Sequence, residues 1–135
     1  MLPNICISSR DLERIETLLD SLPENYGELK DRLLDEMARA DVVAPEAIAP
    51  TVVTMNSRVT FTVISTGQTM TRTLVYPKDM ESGTDKISIL TPMGSALLGL
   101  NIGQEMEWFI EPNKPMSVRV EQIDYQPERA GHFHL

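Results

Sequence analysis

The hydrophobic positions between residues 8 and 41 repeat at intervals of three and four residues. Two series, separated by a break at residues 23–25, comprise Leu12, Ile15, Leu19 and Leu22, then Tyr26, Leu29, Leu33, Met37 and Ala40. This spacing places the apolar side chains on one face of each of two helices. Ser8, followed three residues later by Asp11, indicates where the first helix begins. The pattern predicts a short N-terminal antiparallel helical hairpin (coiled coil), whose helices, at about 1.5 Å per residue, are each roughly 20 Å long.

After residue 50 the hydrophobic period changes to two. Val59, Phe61 and Val63 alternate with threonines, which is typical of a half-buried strand. Residues 65–68 predict a hairpin turn, and a returning strand follows over residues 69–76. Further along the chain we expect strands at residues 105–110 and 117–125, a turn at residues 112–115 between them, and a polar tail over residues 126–135.

The stretch at residues 87–104 joins the strands through a short helix. Pro92 ends a strand because it cannot donate to a sheet ladder, and it suits the first turn of a helix. Thr91 before it is a natural N-cap. Gly99 and Gly103 mark stops, since glycine adopts positive φ at little cost. The second half of the chain is therefore predicted to be a small antiparallel β-sheet domain with one short helix, which makes the fold α+β.

The proline-containing segment at residues 45–50 divides the chain. We expect a helical hairpin over residues 1–44, a semi-stiff linker over residues 45–50 and a sheet domain over residues 51–135. Charge follows a similar division, because residues 1–50 carry a net charge of −6 and residues 51–135 a net charge of −2. Two units with different roles are indicated.

The composition excludes some classes of function. A net charge of −8 over 135 residues argues against direct nucleic-acid binding, which needs a lysine and arginine footprint. No apolar run approaches the roughly 20 residues that span a bilayer, and the N-terminus has no basic start, so we expect a cytoplasmic protein without membrane contact. Cys6 is the single cysteine and is interpreted as a small hydrophobe.

Few residues suggest chemistry. We find no glycine-rich phosphate loop and no cysteine–histidine metal cluster, and His132 and His134 fall in the polar tail. Asp20, Glu24 and Glu28 cluster around the hairpin tip. Their carboxylates have two interpretations: Mg²⁺ ligands completed by a partner, or solvated surface charge. We predict no catalytic residue, no metal site within the chain and no cofactor.

Several motifs resemble one known family. Residues 89–99 (ILTPMGSALLG) and 102–104 (IGQ) resemble the C-terminal signature of the bacterial Gre transcript cleavage factors. Residues 52–59 (VVTMNSRV), 72–77 (RTLVYP) and 125–128 (YQPE) are similar to the Rnk family, the regulators of nucleoside diphosphate kinase. The resemblance extends over essentially the whole chain and implies that the second domain is FKBP-like.

The resemblance also implies a partner, RNA polymerase. Gre factors dock their C-terminal domain on the rim helices of the β′ subunit, at the mouth of the secondary channel. Their contact motif aligns with Leu90, Thr91 and Pro92, and Leu90 stands where the family has an acid. Leu90 therefore has two interpretations, a docking residue or a buried strand residue.

Hairpin length distinguishes the functions that the resemblance allows. Gre factors use long helices to carry acids to the polymerase active site, and the hairpin predicted here is about half as long as that reach needs. We expect a non-enzymatic regulator that competes with Gre factors without stimulating cleavage and affects nucleoside diphosphate kinase indirectly. The alternatives are an active cleavage cofactor that supplies the tip carboxylates to a polymerase-bound Mg²⁺, and a peptidyl-prolyl isomerase suggested by the FKBP-like fold.

Overall fold

Two helices at the N-terminus are followed by a five-stranded sheet. A computed structural model of the chain describes residues 5–80, 85–111 and 114–132. The helices are α1 (Ser9–Asp20), α2 (Gly27–Arg39), α3 (Pro92–Leu97) and α4 (Pro127–Ala130), and 3₁₀ turns lie at Glu24–Tyr26, Pro45–Ala47 and Pro77–Asp79. The strands are β1 (Cys6–Ser8), β2 (Asp41–Val43), β3 (Arg58–Val63), β4 (Gln68–Val75), β5 (Lys86–Ser88), β6 (Glu105–Glu111) and β7 (Lys114–Tyr125). In the described part of the chain, no helix has the length and apolar character needed to cross a bilayer.

The helices α1 and α2 contact each other through their apolar faces. The buried positions are those that the sequence predicts: Ile15, Leu19, Leu33 and Met37. Ser8 caps α1, because its Oγ accepts the Asp11 N–H at 3.1 Å. Such a cap satisfies one of the free amide groups in the first turn. The two predicted helices and the predicted start of the first are confirmed.

Two short strands flank the helices and were not predicted. β1 precedes α1, β2 follows α2, and the two pair in parallel from Cys6↔Asp41 to Ser8↔Val43. The sequence pattern predicts no strand at the end of the hairpin unit, which is wrong, because Asp41 opens β2. Three residues per strand are too few to establish a period of two.

The main sheet has the strand order β5-β4-β3-β7-β6. The pairs β3–β4, β3–β7 and β6–β7 are antiparallel, whereas β4 and β5 pair in parallel. The sheet is therefore mixed, and the prediction of an antiparallel sheet is wrong at its β5 edge. Alternation of polar and apolar residues reveals the two faces of a strand but not its direction. The α+β class itself is confirmed.

A glycine joins the helical hairpin to the sheet unit. The Gly99 carbonyl accepts the Cys6 N–H at 3.1 Å, and the Gly99 N–H donates to the Val53 carbonyl at 2.9 Å. Gly99 has φ +83°, and a Cβ there would lie 2.9 Å from the Cβ of Ile5. Both the backbone conformation and the close approach require glycine at this position.

The C-terminal segment is more ordered than the predicted polar tail. Gln126 is fully buried, its side-chain amide donates to the carbonyls of Ala49 (2.8 Å) and Val52 (2.7 Å), and its Oε1 accepts the Arg129 N–H at the start of α4. The assignment of this residue to a solvated tail is wrong. Its side chain satisfies backbone groups of a distant segment, which periodicity cannot reveal.

Candidate functional site

The loop that contains Leu90, Thr91 and Pro92 is held by its own hydrogen bonds. The Thr91 Oγ1 donates to the Ser88 carbonyl at 2.8 Å and accepts the Gly94 N–H at 3.0 Å. The Ser88 Oγ accepts the Leu90 N–H at 3.0 Å. Thr91 is thus the N-cap of α3, with Pro92 in the first turn, as predicted. The loop has a defined shape before any partner binds.

The three residues of this loop differ in exposure. Pro92 is exposed, whereas Leu90 and Thr91 are half-buried. Leu90 lies in the turn after β5 and packs partly against the hydrophobic core, so it is neither a strand residue nor fully buried. Gly94 lies beneath the loop, where a Cβ would stand 2.1 Å from the Ser88 carbonyl oxygen. Only glycine fits there, and this close approach fixes the loop against β5.

The three tip carboxylates lie at the same end of the hairpin. Asp20 is the last residue of α1, Glu24 begins the 3₁₀ turn, and Glu28 lies in the first turn of α2. All three are exposed. Among the described residues, no group of three or more histidine, cysteine, aspartate or glutamate side chains is placed to hold a metal ion.

Of the two histidines in the predicted tail, the structure describes only His132. The His132 Nδ1 lies 2.6 Å from the Tyr125 hydroxyl, at the end of β7. His134 lies outside the described residues, as do residues 112 and 113 of the turn predicted at residues 112–115.

A buried polar cluster joins α1 to the sheet unit, and the sequence pattern missed it. Asp11 is 2% exposed, and its Oδ2 accepts the Met55 N–H at 3.1 Å. The Thr54 Oγ1 donates to the Glu128 Oε1 at 2.8 Å and lies 2.8 Å from the Ser57 Oγ. The capping signature placed Asp11 at the helix start but gave no sign that its carboxylate faces another segment.

Burial raises the pKa of the Asp11 carboxyl from its ordinary value of 3.8 to about 6. The hydrogen bond from Met55 opposes this rise, the negative charge of Glu128 adds to it, and Arg14 opposes it. Desolvation disfavours the charged form of a carboxyl, so Asp11 is ionised at neutral pH only at a cost. The cluster therefore joins the two units through a carboxylate whose ionisation is unfavourable in the folded protein.

Comparisons with known proteins identify the family. Residues 48–125 match the family model described as "Transcription elongation factor, GreA/GreB, C-term", and residues 3–43 match "Rnk N-terminus". The chain is 39% identical, over 98% of both chains, to the regulators of nucleoside diphosphate kinase of Escherichia coli (strain K12) and Shigella flexneri. It is 51% identical to the prokaryotic transcription elongation factor GreA/GreB from Nitrosomonas europaea, whose solved structure it matches with a TM-score of 0.69, over 91% of this chain and 99% of that one. The chain therefore belongs to the GreA/GreB transcription elongation factor family and has the N-terminal segment of its Rnk members.

Proposed function

We propose that this protein regulates transcription by binding RNA polymerase at the secondary channel without stimulating transcript cleavage. The observation that carries the proposal is helix length. α1 has 12 residues and α2 has 13, so at 1.5 Å per residue they are about 18 and 20 Å long. Catalytic groups act only when they reach the reacting atoms. Helices about half as long as the required reach leave the tip carboxylates short of the polymerase active site.

The docking point we propose is the loop formed by Leu90, Thr91 and Pro92, bound to the β′ rim helices. Its internal hydrogen bonds hold it in one conformation, which lowers the ordering cost of binding. Pro92 is exposed and Leu90 is half-buried, so the contact is apolar. With leucine in place of an acid, this contact has no charge pair, and its affinity depends little on salt.

The hairpin tip has a secondary place in this proposal. Asp20, Glu24 and Glu28 are exposed and would enter the channel mouth as surface charge, where they help exclude another regulator. The chain has a net charge of −8, so contact with nucleic acid inside the channel is unfavourable. Occupancy of the channel, rather than chemistry, is then the basis of competition with Gre factors.

Three further points belong to the same proposal. We take residues 1–44 as the hairpin unit, residues 45–50 as a linker and residues 51–135 as an FKBP-like polymerase-binding unit. The five-stranded sheet with α3 against it is compatible with that architecture. Any effect on nucleoside diphosphate kinase, which gives the relatives their name, is then indirect, through transcription.

The test is a competition assay with core RNA polymerase and a Gre factor, together with a cleavage assay on stalled elongation complexes. We expect the protein to displace the Gre factor and to add no cleavage. Leu90→Asp and Pro92→Ala should weaken the displacement. Pro45→Ala is the matched control, because Pro45 also lies in the first turn of a short helix but outside the loop.

Two results would contradict the proposal. Failure of the protein to bind polymerase rejects polymerase docking altogether. Cleavage that is lost on changing Glu24 and Glu28 to alanine instead supports an active cleavage cofactor.

A further inference from the structure

An open cleft separates α1 from the chain that follows β4. Its volume is about 990 Å³, and its walls include Arg10, Arg14 and Leu18 on one side and Tyr76, Pro77 and Lys78 on the other. This volume is at the upper end of the roughly 300–1,000 Å³ of small-molecule sites. The cleft shares no residue with the docking loop or the hairpin tip.

Three of the wall residues are cations. Within the described ranges, none of Arg10, Arg14 and Lys78 forms an ion pair with an acidic side chain. Glu13 and Asp79 also line the cleft, so cations outnumber acids among the lining residues by one, in a chain whose net charge is −8. The carboxylates of Asp11 and Glu128 also act on Tyr76, so an anion would be held by direct contact with the three cations rather than by a net positive charge of the cleft.

Arg10 occupies an unfavourable position for a cation. It lies in the first turn of α1, where the helix dipole presents positive partial charge. An anion in the cleft would compensate both the guanidinium and the dipole. Arg14 is one turn further on, so the Cβ atoms of the two arginines are about 5–6 Å apart and both guanidinium forks can reach one ligand.

A buried hydroxyl at the cleft wall lacks a well-formed hydrogen bond. Tyr76 is 8% exposed, and its hydroxyl forms no hydrogen bond of standard geometry among the described residues, although the Arg14 side chain lies close enough to interact with it. Burial raises the pKa of this hydroxyl, the negative charges of Asp11 and Glu128 add to the rise, and the Arg14 side chain opposes it. A buried hydroxyl that lacks a well-formed hydrogen bond is destabilising, so a ligand oxygen that accepts from it would recover stability.

We propose that this cleft binds a small molecule that carries at least two phosphate groups. Arg10, Arg14 and Lys78 bind the phosphate oxygens, since guanidinium groups match phosphate geometry with paired hydrogen bonds. Leu18 and Pro77 provide apolar surface for the organic part of the ligand. The proposal does not depend on polymerase docking, because the ligand would bridge α1 and the sheet unit within this chain.

The test uses inorganic pyrophosphate and adenosine diphosphate as probes, with calorimetry and amide chemical shifts of the full chain. Ionic strength is held constant, because salt screens contacts to exposed cations. We expect saturable binding of both probes, with shifts centred on the cleft and tighter binding of the nucleotide. Equal affinity for the two probes would overturn the apolar part of the proposal. No saturable binding of either would overturn all of it.

Charge-removing variants localise the site. Arg10→Gln and Lys78→Gln should each weaken pyrophosphate binding roughly tenfold, the value of one lost hydrogen bond to a charged group. Lys30→Gln is the matched control, because it removes the same charge from α2, outside the cleft. An equal loss in the control would show attraction by overall charge alone and would overturn the site.

Tyr76→Phe separates a ligand role from a structural one. The Tyr76 hydroxyl is buried without a well-formed hydrogen bond, so its removal should not lower the free energy of unfolding and could raise it. We expect pyrophosphate affinity to fall in the same variant. Unchanged affinity would remove the hydroxyl from the proposed site.

Discussion

Asp11→Asn tests whether the buried cluster at the junction is held at an electrostatic cost. The folded-state pKa of about 6 lies well above the ordinary value of 3.8, and a tenfold change in acidity corresponds to about 1.4 kcal/mol. Ionised Asp11 therefore lowers the free energy of unfolding by about 3 kcal/mol at neutral pH. Asparagine keeps an oxygen that accepts the Met55 N–H and carries no charge to desolvate.

The sign of the pH dependence follows from proton binding. Between about pH 4 and pH 6 the folded state holds the Asp11 proton and the unfolded state does not, so this group makes the protein less stable as pH rises through that window. The penalty is fully present above pH 6 and absent below pH 4. About half of it develops between pH 5 and pH 7.5.

The expected result is a stabilised variant at neutral pH. The pKa of about 6 already includes the hydrogen bond from Met55 to the ionised carboxylate, so the expected gain at pH 7.5 is up to about 3 kcal/mol. Urea unfolding at pH 5 and pH 7.5 measures it through the midpoint at constant slope. Asp20→Asn, at an exposed position of α1, controls for loss of one surface charge. A variant equally destabilised at both pH values would refute the reasoning, because the hydrogen bond would then outweigh the desolvation.

Two further substitutions test the loop and the C-terminal segment. Gly94→Ala should lower the free energy of unfolding by roughly 3 kcal/mol or more, because its Cβ would stand 2.1 Å from the Ser88 carbonyl oxygen. Gly27→Ala is the control: its Cβ would meet no atom within 4 Å, so the variant should be as stable as the parent or slightly more stable. Thermal unfolding of both variants measures the difference. Gln126→Leu should cost roughly 1–3 kcal/mol in urea unfolding, because the Val52 carbonyl would lose the Gln126 donor and the Ala49 carbonyl would keep only the Val52 N–H. An unchanged midpoint would contradict this role.

Features set by neighbouring residues could be predicted from the sequence. The helix faces, the N-caps Ser8 and Thr91, and the positive φ of Gly99 and Gly103 depend on residues within one or two turns, and all are present. A side-chain period and a capping residue are local properties of the chain. Local patterns therefore identify most elements of this fold.

Features set by distant residues could not be predicted. The parallel pairing of β4 with β5 and the contact of Asp11 with Met55 each depend on where separate segments meet. The sequence pattern assigns Gln126 to the tail, because no neighbouring residue indicates the carbonyls to which its side chain donates hydrogen bonds. Polar residues that join segments were assigned to solvent, since a single sequence gives composition and period but no pairing.

The same junction links the proposed docking point to the direction of the hairpin. α3 begins at the docking loop and is six residues long, about 9 Å, and Gly99 just beyond it holds β1 at the base of the hairpin. The Asp11–Met55 contact adds a second attachment one turn into α1. Under the proposed docking at the loop formed by Leu90, Thr91 and Pro92, the hairpin base would lie close to the polymerase surface, and its reach into the channel would depend on helix length. Length, rather than the identity of the tip residues, would then separate a competitor from a cleavage cofactor.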